Sequence, residues 1–445
     1  LIRNMAAPPE SLSPRTRQII FIHLDLGIGG AEQLVLNLAT ASLPFSSSIK
    51  IYTSHCDQNH CFSPVKKPDG ILSSNVQIRG STIPYTFLGK GTALFSTLRI
   101  MYLTWKAIRE NPSADLFVLD VLPTSIPLIK LLHRGGAAVL YYCHFPDKLL
   151  TRDTVNGVVV EDNDKSMLQQ QQRDGVMKTL RSGYRRSLDW VEEFTMRYAD
   201  SIAVNSIFTK GEVKRVFPSM ERVCMEVLYP AIDLTKFIEP DFQSSSSSKI
   251  GPIVSLNRFE RKKNIQILIQ AYAQILQNHS SASSLLPSQI PNLIIAGGYD
   301  PQNLENRQYL EELRHLAFST LSLPPEKVSF SPSISDETRA TLLRSASCVC
   351  YTPLREHFGI VPLEAMYAGS PVVAVRSGGP CETVLDGETG VLVEGSANGF
   401  AQGVLRVLEE GKKVMGRRGH EHVKEKFGLD KFVRDWEVMV NECLK

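Results

Sequence analysis

The sequence predicts an α/β fold in which two doubly wound parallel sheets form separate domains. Its 445 residues exceed what one ordinary hydrophobic core requires and suit two domains. The apolar fraction of 43% and the charged fraction of 21% are those of a globular chain. Short apolar runs alternate with helical segments in both halves of the chain, and this alternation is typical of parallel sheets covered by helices.

In the first half, the predicted strands follow a Pro- and Ser-rich tail at residues 1–16. The first strand occupies 17–24 and precedes a helix whose apolar residues recur at helical spacing. The remaining strands are short apolar runs at 116–120, 138–142 and 201–205. An acidic, glutamine-rich stretch at 153–178 interrupts the alternation, and its composition predicts a disordered insertion. These segments predict an N-terminal domain at 17–230.

In the second half, a serine run at 244–248 marks a flexible joint before the alternation starts again. The predicted strands lie at 253–256, 293–298, 328–330, 348–351 and 372–375. We therefore predict a C-terminal domain at 231–425 and a final helix at 426–445 that packs back on the N-terminal domain. Ligands bind at the carboxyl ends of the strands in such sheets, so two facing domains would form a binding cleft.

Charge and cysteine usage exclude several classes of protein. The net charge of +3 gives no general attraction to nucleic acid. Residues 1–230 carry a net charge of +5 and the remaining residues −2, so the first half could attract an anionic surface or ligand. The eight cysteines are scattered without zinc spacing, which predicts reduced thiols facing the cytosol. No run of eighteen apolar residues occurs, so the sequence predicts no membrane-spanning helix.

A glycine-rich loop separates the first predicted strand from its helix. Gly27, Gly29 and Gly30 would let backbone N–H groups approach an anion at the start of the helix. A dinucleotide-binding fingerprint would need glycine where Glu32 stands, so a nicotinamide cofactor is disfavoured. The alternative is a tight turn with a purely structural purpose.

A basic turn follows the first strand of the second half. Arg258 and Lys263 lie five residues apart across this turn and could clamp one diphosphate. Arginine grips phosphate oxygens through paired hydrogen bonds, and lysine acts as a point charge. The alternative is a solvated basic turn, because Arg261 and Lys262 belong to the same run.

Two carboxylates and one histidine follow later strands. Glu356 lies in a loop after 348–351, and Glu364 falls in the opening turns of a predicted helix. Carboxylates in such positions accept hydrogen bonds from the vicinal hydroxyls of a ribose or hexose. A glycosidase acid/base pair is an alternative for the two residues, and a helix-start charge is one for Glu364. His144 would project from a strand end into the same cleft, unless it is a structural histidine.

These motifs resemble a known family. The segments 29–32, 257–264 and 356–364 are similar to the retaining, metal-independent glycosyltransferases with the GT-B fold, and the resemblance covers about residues 18–440. It implies two Rossmann-like doubly wound domains that face each other across a cleft. Further segments are similar to the mannosyltransferases of asparagine-linked glycosylation: 142–147, 188–193, 204–206, 227–230 and 356–366. The stretch at 153–178 departs from that compact pattern.

The resemblance implies an activity and its partners. Mannose would pass from GDP-mannose to Man-GlcNAc2 pyrophosphate-dolichol in α-1,3 and α-1,6 linkage, at the cytosolic face of the endoplasmic reticulum membrane. The implied partners are these two substrates, the membrane surface and other glycosyltransferases of the pathway, without nucleic acid. No cofactor and no metal is expected. Two alternatives stay open: another sugar nucleotide as donor, or a non-catalytic nucleotide-sugar-binding subunit of a glycosylation complex.

The resemblance also implies a role for each motif residue. Arg258 and Lys263 match the family's diphosphate-binding pair, Glu356 matches the carboxylate that touches the transferred sugar, and His144 matches a position facing the reaction centre. The other implied donor-binding residues are Gly29, Gly30, Asn205, Gly297, Phe358, Gly359, Ile360 and Glu364. Asp162 and Asp164 form the one Asp-x-Asp pair that suggests a metal, and we assign them to solvation because they lie in the predicted insertion.

One apolar segment suits either a membrane surface or the protein core. Residues 95–108 are apolar with Arg99 and Lys106 interspersed, which is typical of a helix lying in a lipid interface. The basic excess of the first half would support contact with anionic lipid. A core helix of the N-terminal domain is the alternative.

Overall fold

Two parallel sheets organise the computed structural model of this chain. It describes residues 17–86, 91–146, 149, 154–155, 158–159, 175–232, 234, 237, 239–240, 242, 251–277, 289–410 and 412–445. The strands are β1 (Gln18–Ile22), β2 (Ser48–Thr53), β3 (Val76–Ile78), β4 (Leu116–Leu119), β5 (Ala138–Cys143), β6 (Thr154–Val155), β7 (Val158–Val159), β8 (Ser201–Val204), β9 (Glu226–Val227), β10 (Ile253–Leu256), β11 (Leu293–Gly297), β12 (Val328–Pro332), β13 (Cys348–Tyr351), β14 (Val372–Val375) and β15 (Gly390–Val393).

Helices connect the strands and cover both faces of each sheet. They are α1 (Gly30–Ser42), α2 (Thr92–Glu110), α3 (Ile126–Leu132), α4 (Gly175–Met196), α5 (Ile207–Val216), α6 (Gln266–Gln277), α7 (Leu304–His315), α8 (Asp336–Ser345), α9 (Ile360–Tyr367), α10 (Pro380–Thr383), α11 (Ala397–Glu410), α12 (Lys412–Lys426) and α13 (Leu429–Cys443).

The strand order makes both sheets doubly wound. The N-terminal sheet runs β3-β2-β1-β4-β5-β8-β9, and the C-terminal sheet runs β12-β11-β10-β13-β14-β15. Neighbouring strands in both sheets pair in parallel. The winding reverses between β1 and β4 and between β10 and β13, and a crevice opens beside such a switch point. The predicted α/β class with doubly wound sheets is confirmed.

The central strands are buried on both faces. In β1, Ile19, Ile20 and Phe21 are consecutive and fully buried. Alternate residues of the strand enter different clusters, because Ile20 packs with the α2 side and Ile19 and Phe21 with the α1 side. Burial on two faces explains why the strands read as continuous apolar runs and not as alternating ones.

The C-terminal helix α13 packs on the N-terminal domain. The Trp436 ring is fully buried, lies 6.5 Å from the Phe21 ring between centroids, and donates from Nε1 to Ser42 Oγ over 2.8 Å. Phe432 joins the same apolar cluster. By contrast, α12 packs against α9 of the C-terminal domain. The chain therefore leaves the N-terminal domain after β9 and returns to it at its end.

Parts of the predicted irregular segments are visible. Within 153–178, β6 pairs antiparallel with β7 and α4 begins at Gly175, while the rest lies outside the described residues. The tail at 1–16 and the serine run at 244–248 also lie outside them. All eight cysteines are free thiols.

Helix α2 contains the apolar segment 95–108, for which the sequence suited either a lipid interface or the protein core. Its inner face buries Ile100, Leu103 and Ala107 in the N-terminal core, as the alternative of a core helix predicted. Its first turns leave Leu94 and Leu98 half exposed. In the part of the chain that the structure describes, no helix is long and apolar enough to cross a membrane.

Candidate active site

The glycine loop leads from β1 into α1. Gly29 caps α1 and Gly30 is its first residue, so their N–H groups lie at the positive end of the helix dipole. A side chain at Gly30 would meet open space, whereas a Cβ atom at Gly29 would collide with the Glu32 carboxylate. The loop can offer N–H groups to an anion, and Glu32 must turn aside for a diphosphate to approach Gly29.

The predicted residues of the N-terminal domain follow neighbouring strands. His144 comes directly after β5, and Asn205 comes directly after β8. The Asn205 amide is buried and donates to the His144 backbone carbonyl over 2.8 Å, so it holds the loop after β5 in place. The His144 side chain is 27% exposed, and its Nε2 lies 3.2 Å from Asp120 Oδ2.

Lys263 and Glu356 form the charged centre of the C-terminal side. Lys263 ends a 3₁₀ turn at Arg261–Lys263, and its Nζ lies 2.6 Å from Glu356 Oε2. Thr352 Oγ1 donates to the Lys263 backbone carbonyl over 2.6 Å, which ties this turn to the loop after β13. Although burial favours the neutral acid, the Lys263 ammonium holds the pKa of Glu356 below its ordinary value. The structure thus joins two predicted residues that are 93 positions apart.

Arg258 extends freely from the loop after β10. Its side chain is 70% exposed, and its contact with Glu260 is long at 3.4 Å. Gly297, at the end of β11, has a φ of +144° and lies so close to Asn257 that a Cβ atom would clash with the Asn257 carbonyl. Only glycine allows this approach of two backbones. The Arg258 guanidinium is therefore available to an anion at this edge of the sheet.

The start of α9 carries three more predicted residues. Gly359 caps the helix with a φ of +85°, a left-handed conformation that favours glycine. Ile360 is the first helical residue and is exposed. Phe358 is buried, with ring centroids 5.7 Å from Tyr229 and 6.0 Å from Phe427. Its ring therefore anchors the loop in the apolar cluster of the C-terminal domain, and its part in donor binding stays a prediction.

The two predicted carboxylates converge on Tyr351, the last residue of β13. Glu364 lies within α9 and pairs with Arg339 of α8. Burial, together with the charges of Glu356 and Glu364, raises the pKa of Tyr351 well above its ordinary value. The region around Tyr351 thus combines two carboxylates with the cations that partner them, Lys263 and Arg339.

His357 connects the two domains across the cleft. Ser206 Oγ donates to the His357 carbonyl over 2.6 Å, and the Phe145 ring stacks on the His357 imidazole at 3.6 Å between centroids. Burial lowers the pKa of His357 to about 4, and the Lys263 ammonium adds to this effect against the opposing Glu356 carboxylate. The imidazole is therefore neutral near pH 7.

A second contact between the domains lies at the start of α5. The Glu382 carboxylate accepts hydrogen bonds from the Ile207 and Phe208 N–H groups, both over 2.7 Å. It also accepts one from the Tyr229 hydroxyl over 3.1 Å. A carboxylate is favoured there because it satisfies unpaired N–H groups at the positive end of a helix. The loop after β8 is thereby held against the C-terminal domain.

Sequence reasoning missed four residues at this cleft. His23 and Asp120 carry the same signal as His144, a polar residue directly after a buried strand. His357 lies inside the motif already recognised at 356–364, and Glu382 lies in α10. Among the described residues, no group of three side chains suited to a metal occurs. Residues 162 and 164 lie outside the described part of the chain.

Solved structures share this architecture. Sucrose-phosphate synthase from Thermosynechococcus elongatus matches with a TM-score of 0.69 at 22% identity, over 96% of this chain and 98% of that one. The catalytic domain of starch synthase IV from Arabidopsis thaliana matches with a TM-score of 0.68 at 12% identity, over 97% of this chain and 100% of that one. The predicted GT-B fold, with two Rossmann-like domains facing across a cleft, is confirmed.

Sequence relatives identify the family. Residues 238–421 match the family described as glycosyl transferases group 1. The alpha-1,3/1,6-mannosyltransferase ALG2 of Rhizomucor pusillus is 37% identical, over 97% of this chain and 93% of its own length. The ALG2 protein of Homo sapiens is 36% identical, over 96% of both chains. This chain therefore belongs to the family of ALG2 alpha-1,3/1,6-mannosyltransferases.

Proposed function

We propose that this chain is a retaining mannosyltransferase that uses GDP-mannose as donor and Man-GlcNAc2 pyrophosphate-dolichol as acceptor. It adds one mannose in α-1,3 linkage and one in α-1,6 linkage. The observation that carries the proposal is the Lys263–Glu356 pair, which lies beside the loop that contacts the N-terminal domain. Family membership supports the type of transfer, and the charged centre supports a sugar diphosphate as donor.

The diphosphate contacts are made by the basic turn and the glycine loop. Arg258 and Lys263 bind the β-phosphate and stabilise the charge that grows on it as the donor breaks. The N–H groups at Gly29 and Gly30 approach the same phosphates from the opposite domain. Preorganised cations and N–H groups are effective at stabilising such charge.

The sugar contacts are made by the carboxylates and the N-terminal loop. Glu356, kept ionised by Lys263, accepts hydrogen bonds from hydroxyls of the transferred mannose. Glu364 accepts from the ribose hydroxyls once they displace part of its contact with Arg339. His144 faces the sugar from the N-terminal domain.

The reaction exchanges one C–O bond for another at the mannose C1 atom. The bond from C1 to the β-phosphate oxygen breaks, which leaves an oxocarbenium-like sugar and GDP. The acceptor hydroxyl attacks C1 on the same face, so the configuration is retained. Its proton passes to the departing phosphate oxygen, and no protein nucleophile is needed.

A transfer assay tests this proposal. Purified protein is incubated with a short-chain lipid pyrophosphate that carries Man-GlcNAc2, together with GDP-mannose or with UDP-glucose. We expect two added hexoses from GDP-mannose alone, one α-1,3 and one α-1,6, read by mass spectrometry and linkage-specific digestion. Transfer from the UDP-sugar would replace the proposed donor. Binding of GDP by folded protein without transfer would favour a non-catalytic subunit.

The same assay tests the proposed independence from metals. Because Arg258 and Lys263 are expected to neutralise the diphosphate, the rate with excess EDTA should equal the untreated rate. A matched reaction with EDTA and excess Mn²⁺ serves as the control. Loss of transfer with EDTA and recovery with Mn²⁺ would contradict the proposal.

The acceptor is lipid-linked, and we place the chain at the cytosolic face of the endoplasmic reticulum membrane. The half-exposed Leu94 and Leu98 of α2 are the side chains proposed to touch the lipid. The Leu94→Asp/Leu98→Asp double variant should bind anionic liposomes less than the wild type in a flotation assay. Leu304→Asp, at an exposed leucine of the C-terminal domain, is the matched control. Equal flotation of all three proteins would exclude α2 as the contact.

A further inference from the structure

Four polar residues stand in a row at the carboxyl edge of the N-terminal sheet. His23, Asp120, His144 and Asn205 directly follow β1, β4, β5 and β8. These four strands are consecutive neighbours in the sheet. The proposed reaction assigns a role to His144, whereas it assigns none to His23 and Asp120. Two buried titratable groups beside a reaction centre require an explanation.

A continuous chain of hydrogen bonds joins the first three residues. His23 Nδ1 lies 2.8 and 2.9 Å from the two Asp120 oxygens, and Asp120 Oδ2 lies 3.2 Å from His144 Nε2. The Asp120 side chain is 1% exposed and that of His23 is 2% exposed, so bulk water reaches neither. Of these three hydrogen-bonded residues, His144 is the one that a ligand can reach, because its side chain is 27% exposed.

The surroundings of the inner pair, His23 and Asp120, favour the charged form of each residue. A carboxylate in a dry interior is costly unless a cation and hydrogen bonds accompany it. Burial works against the charged form of His23, but the Asp120 carboxylate raises the pKa of His23 above its ordinary value. The Asp25 backbone carbonyl and the Glu32 carboxylate of α1 act in the same direction. Burial by itself would raise the pKa of Asp120, but the imidazoles of His23 and His144 lower it to about 2.

An ionised Asp120 determines where the His144 proton lies. A carboxylate without a proton only accepts hydrogen bonds, so the His144 nitrogen that faces it must donate. That nitrogen is Nε2, and a neutral His144 then carries its lone pair on Nδ1. The Nδ1 atom can accept a hydrogen bond from a sugar hydroxyl.

We propose that Asp120 and His23 are positioning residues, which fix the His144 ring and keep its proton on Nε2 so that Nδ1 accepts a hydroxyl of the transferred sugar. This inference rests on the proposed mannosyl transfer. Neither residue touches the substrate. Their contribution passes through the orientation and tautomer of His144, as it does for a carboxylate behind a metal-binding or catalytic histidine.

The Asp120→Asn variant tests the inference because it keeps the shape and changes the hydrogen-bonding pattern. An amide carries no charge and replaces one accepting oxygen with a donating nitrogen, so a donor faces at least one of the two imidazoles whichever way the amide turns. We expect kcat for mannosyl transfer to fall by about 10–100-fold, the range seen when the partner of a functional histidine is lost. The KM for GDP-mannose should stay unchanged, because the substitution leaves the cations and the N–H groups proposed to hold the diphosphate unaltered. Wild-type kcat, or equal losses in kcat and donor binding, would overturn the inference.

Asp115→Asn is the matched control for this variant. Asp115 immediately precedes β4, at the opposite edge of the same sheet, and accepts a hydrogen bond from the Gln18 N–H group over 2.8 Å. The Asp115→Asn variant loses the same charge beside the same strand, but at the end of β4 that lies far from His144. Its kcat should equal that of the wild type, and a fall matching that of Asp120→Asn would count against a specific role.

NMR of the wild-type protein gives a readout that does not depend on activity. With isotopically labelled histidine, the two ring nitrogens of His144 are assigned by comparison with His144→Ala. We expect the proton on Nε2 in the wild type, and a proton on Nδ1 would overturn the inference even if Asp120→Asn failed to fold. If the wild type transferred no mannose, the proposed function would fail, while the tautomer would still decide the positioning role.

Discussion

Replacing Arg258 with alanine is expected to lower kcat for mannosyl transfer by about 10²–10³-fold, or roughly 2.7–4 kcal/mol of transition-state stabilisation. The guanidinium is 70% exposed, and its ion pair with Glu260 is long at 3.4 Å. It is therefore not needed for the fold and is available for the leaving diphosphate. Steady-state kinetics at saturating GDP-mannose measure the effect. Wild-type turnover in Arg258→Ala would contradict the proposed role.

Arg261→Ala is the control within the same basic turn. Arg261 Nη2 lies 2.5 Å from Glu312 Oε1 of α7, so the Arg261 charge is already paired with a carboxylate on the protein surface. We expect kcat near that of the wild type for this variant. A similar loss at Arg258 and Arg261 would indicate a general effect of positive charge and would count against a specific contact of Arg258 with the diphosphate.

Replacing Trp436 with alanine is expected to destabilise the N-terminal domain by about 3–5 kcal/mol. The fully buried ring fills the space between α13, α1 and β1, and its loss also leaves Ser42 Oγ without the Nε1 donor. Hydrogen exchange followed by mass spectrometry localises the effect. Amides of α1 and β1 should exchange faster, whereas those of β10 and β11 should exchange as in the wild type.

Trp190→Ala provides the matched control for this loss of stability. Trp190 lies on α4, is 61% exposed, and stacks on Phe194. Its removal should change the free energy of unfolding by no more than about 0.5 kcal/mol. Unchanged exchange in Trp436→Ala would contradict the packing of α13 on the N-terminal domain.

The strands and the local motifs were predictable because their signals are local. Strands buried on both faces read as short apolar runs, and the predicted runs at 116–120, 253–256 and 348–351 coincide with β4, β10 and β13 within one residue. The turn that holds Arg258 and Lys263 and the cap at Gly359 are likewise set by neighbours along the chain. The predicted roles of these residues in donor binding stay predictions.

The partners of the site residues were not predictable from spacing. Asn205 is implied by resemblance to bind the donor, and the structure shows in addition that its buried amide donates to the His144 carbonyl. Phe358 belongs to the recognised motif, yet its ring packs into the core against Tyr229 and Phe427. In both cases a side chain contacts an element distant in sequence, and periodicity contains no information about such contacts.

By itself, the sequence determined the fold class and the order of the motifs along the chain, because burial patterns and turn chemistry act over a few residues. The family followed from the resemblance of those motifs to a known one. The tertiary structure decided which polar groups meet. His23 and Asp120 are 97 positions apart and touch only because the winding of the sheet makes β1 and β4 neighbours. The Phe145–His357 stack exists only because the two domains close on each other. Hydrogen bonds and ring contacts between distant segments depend on sheet order and domain packing, which are properties of the whole fold.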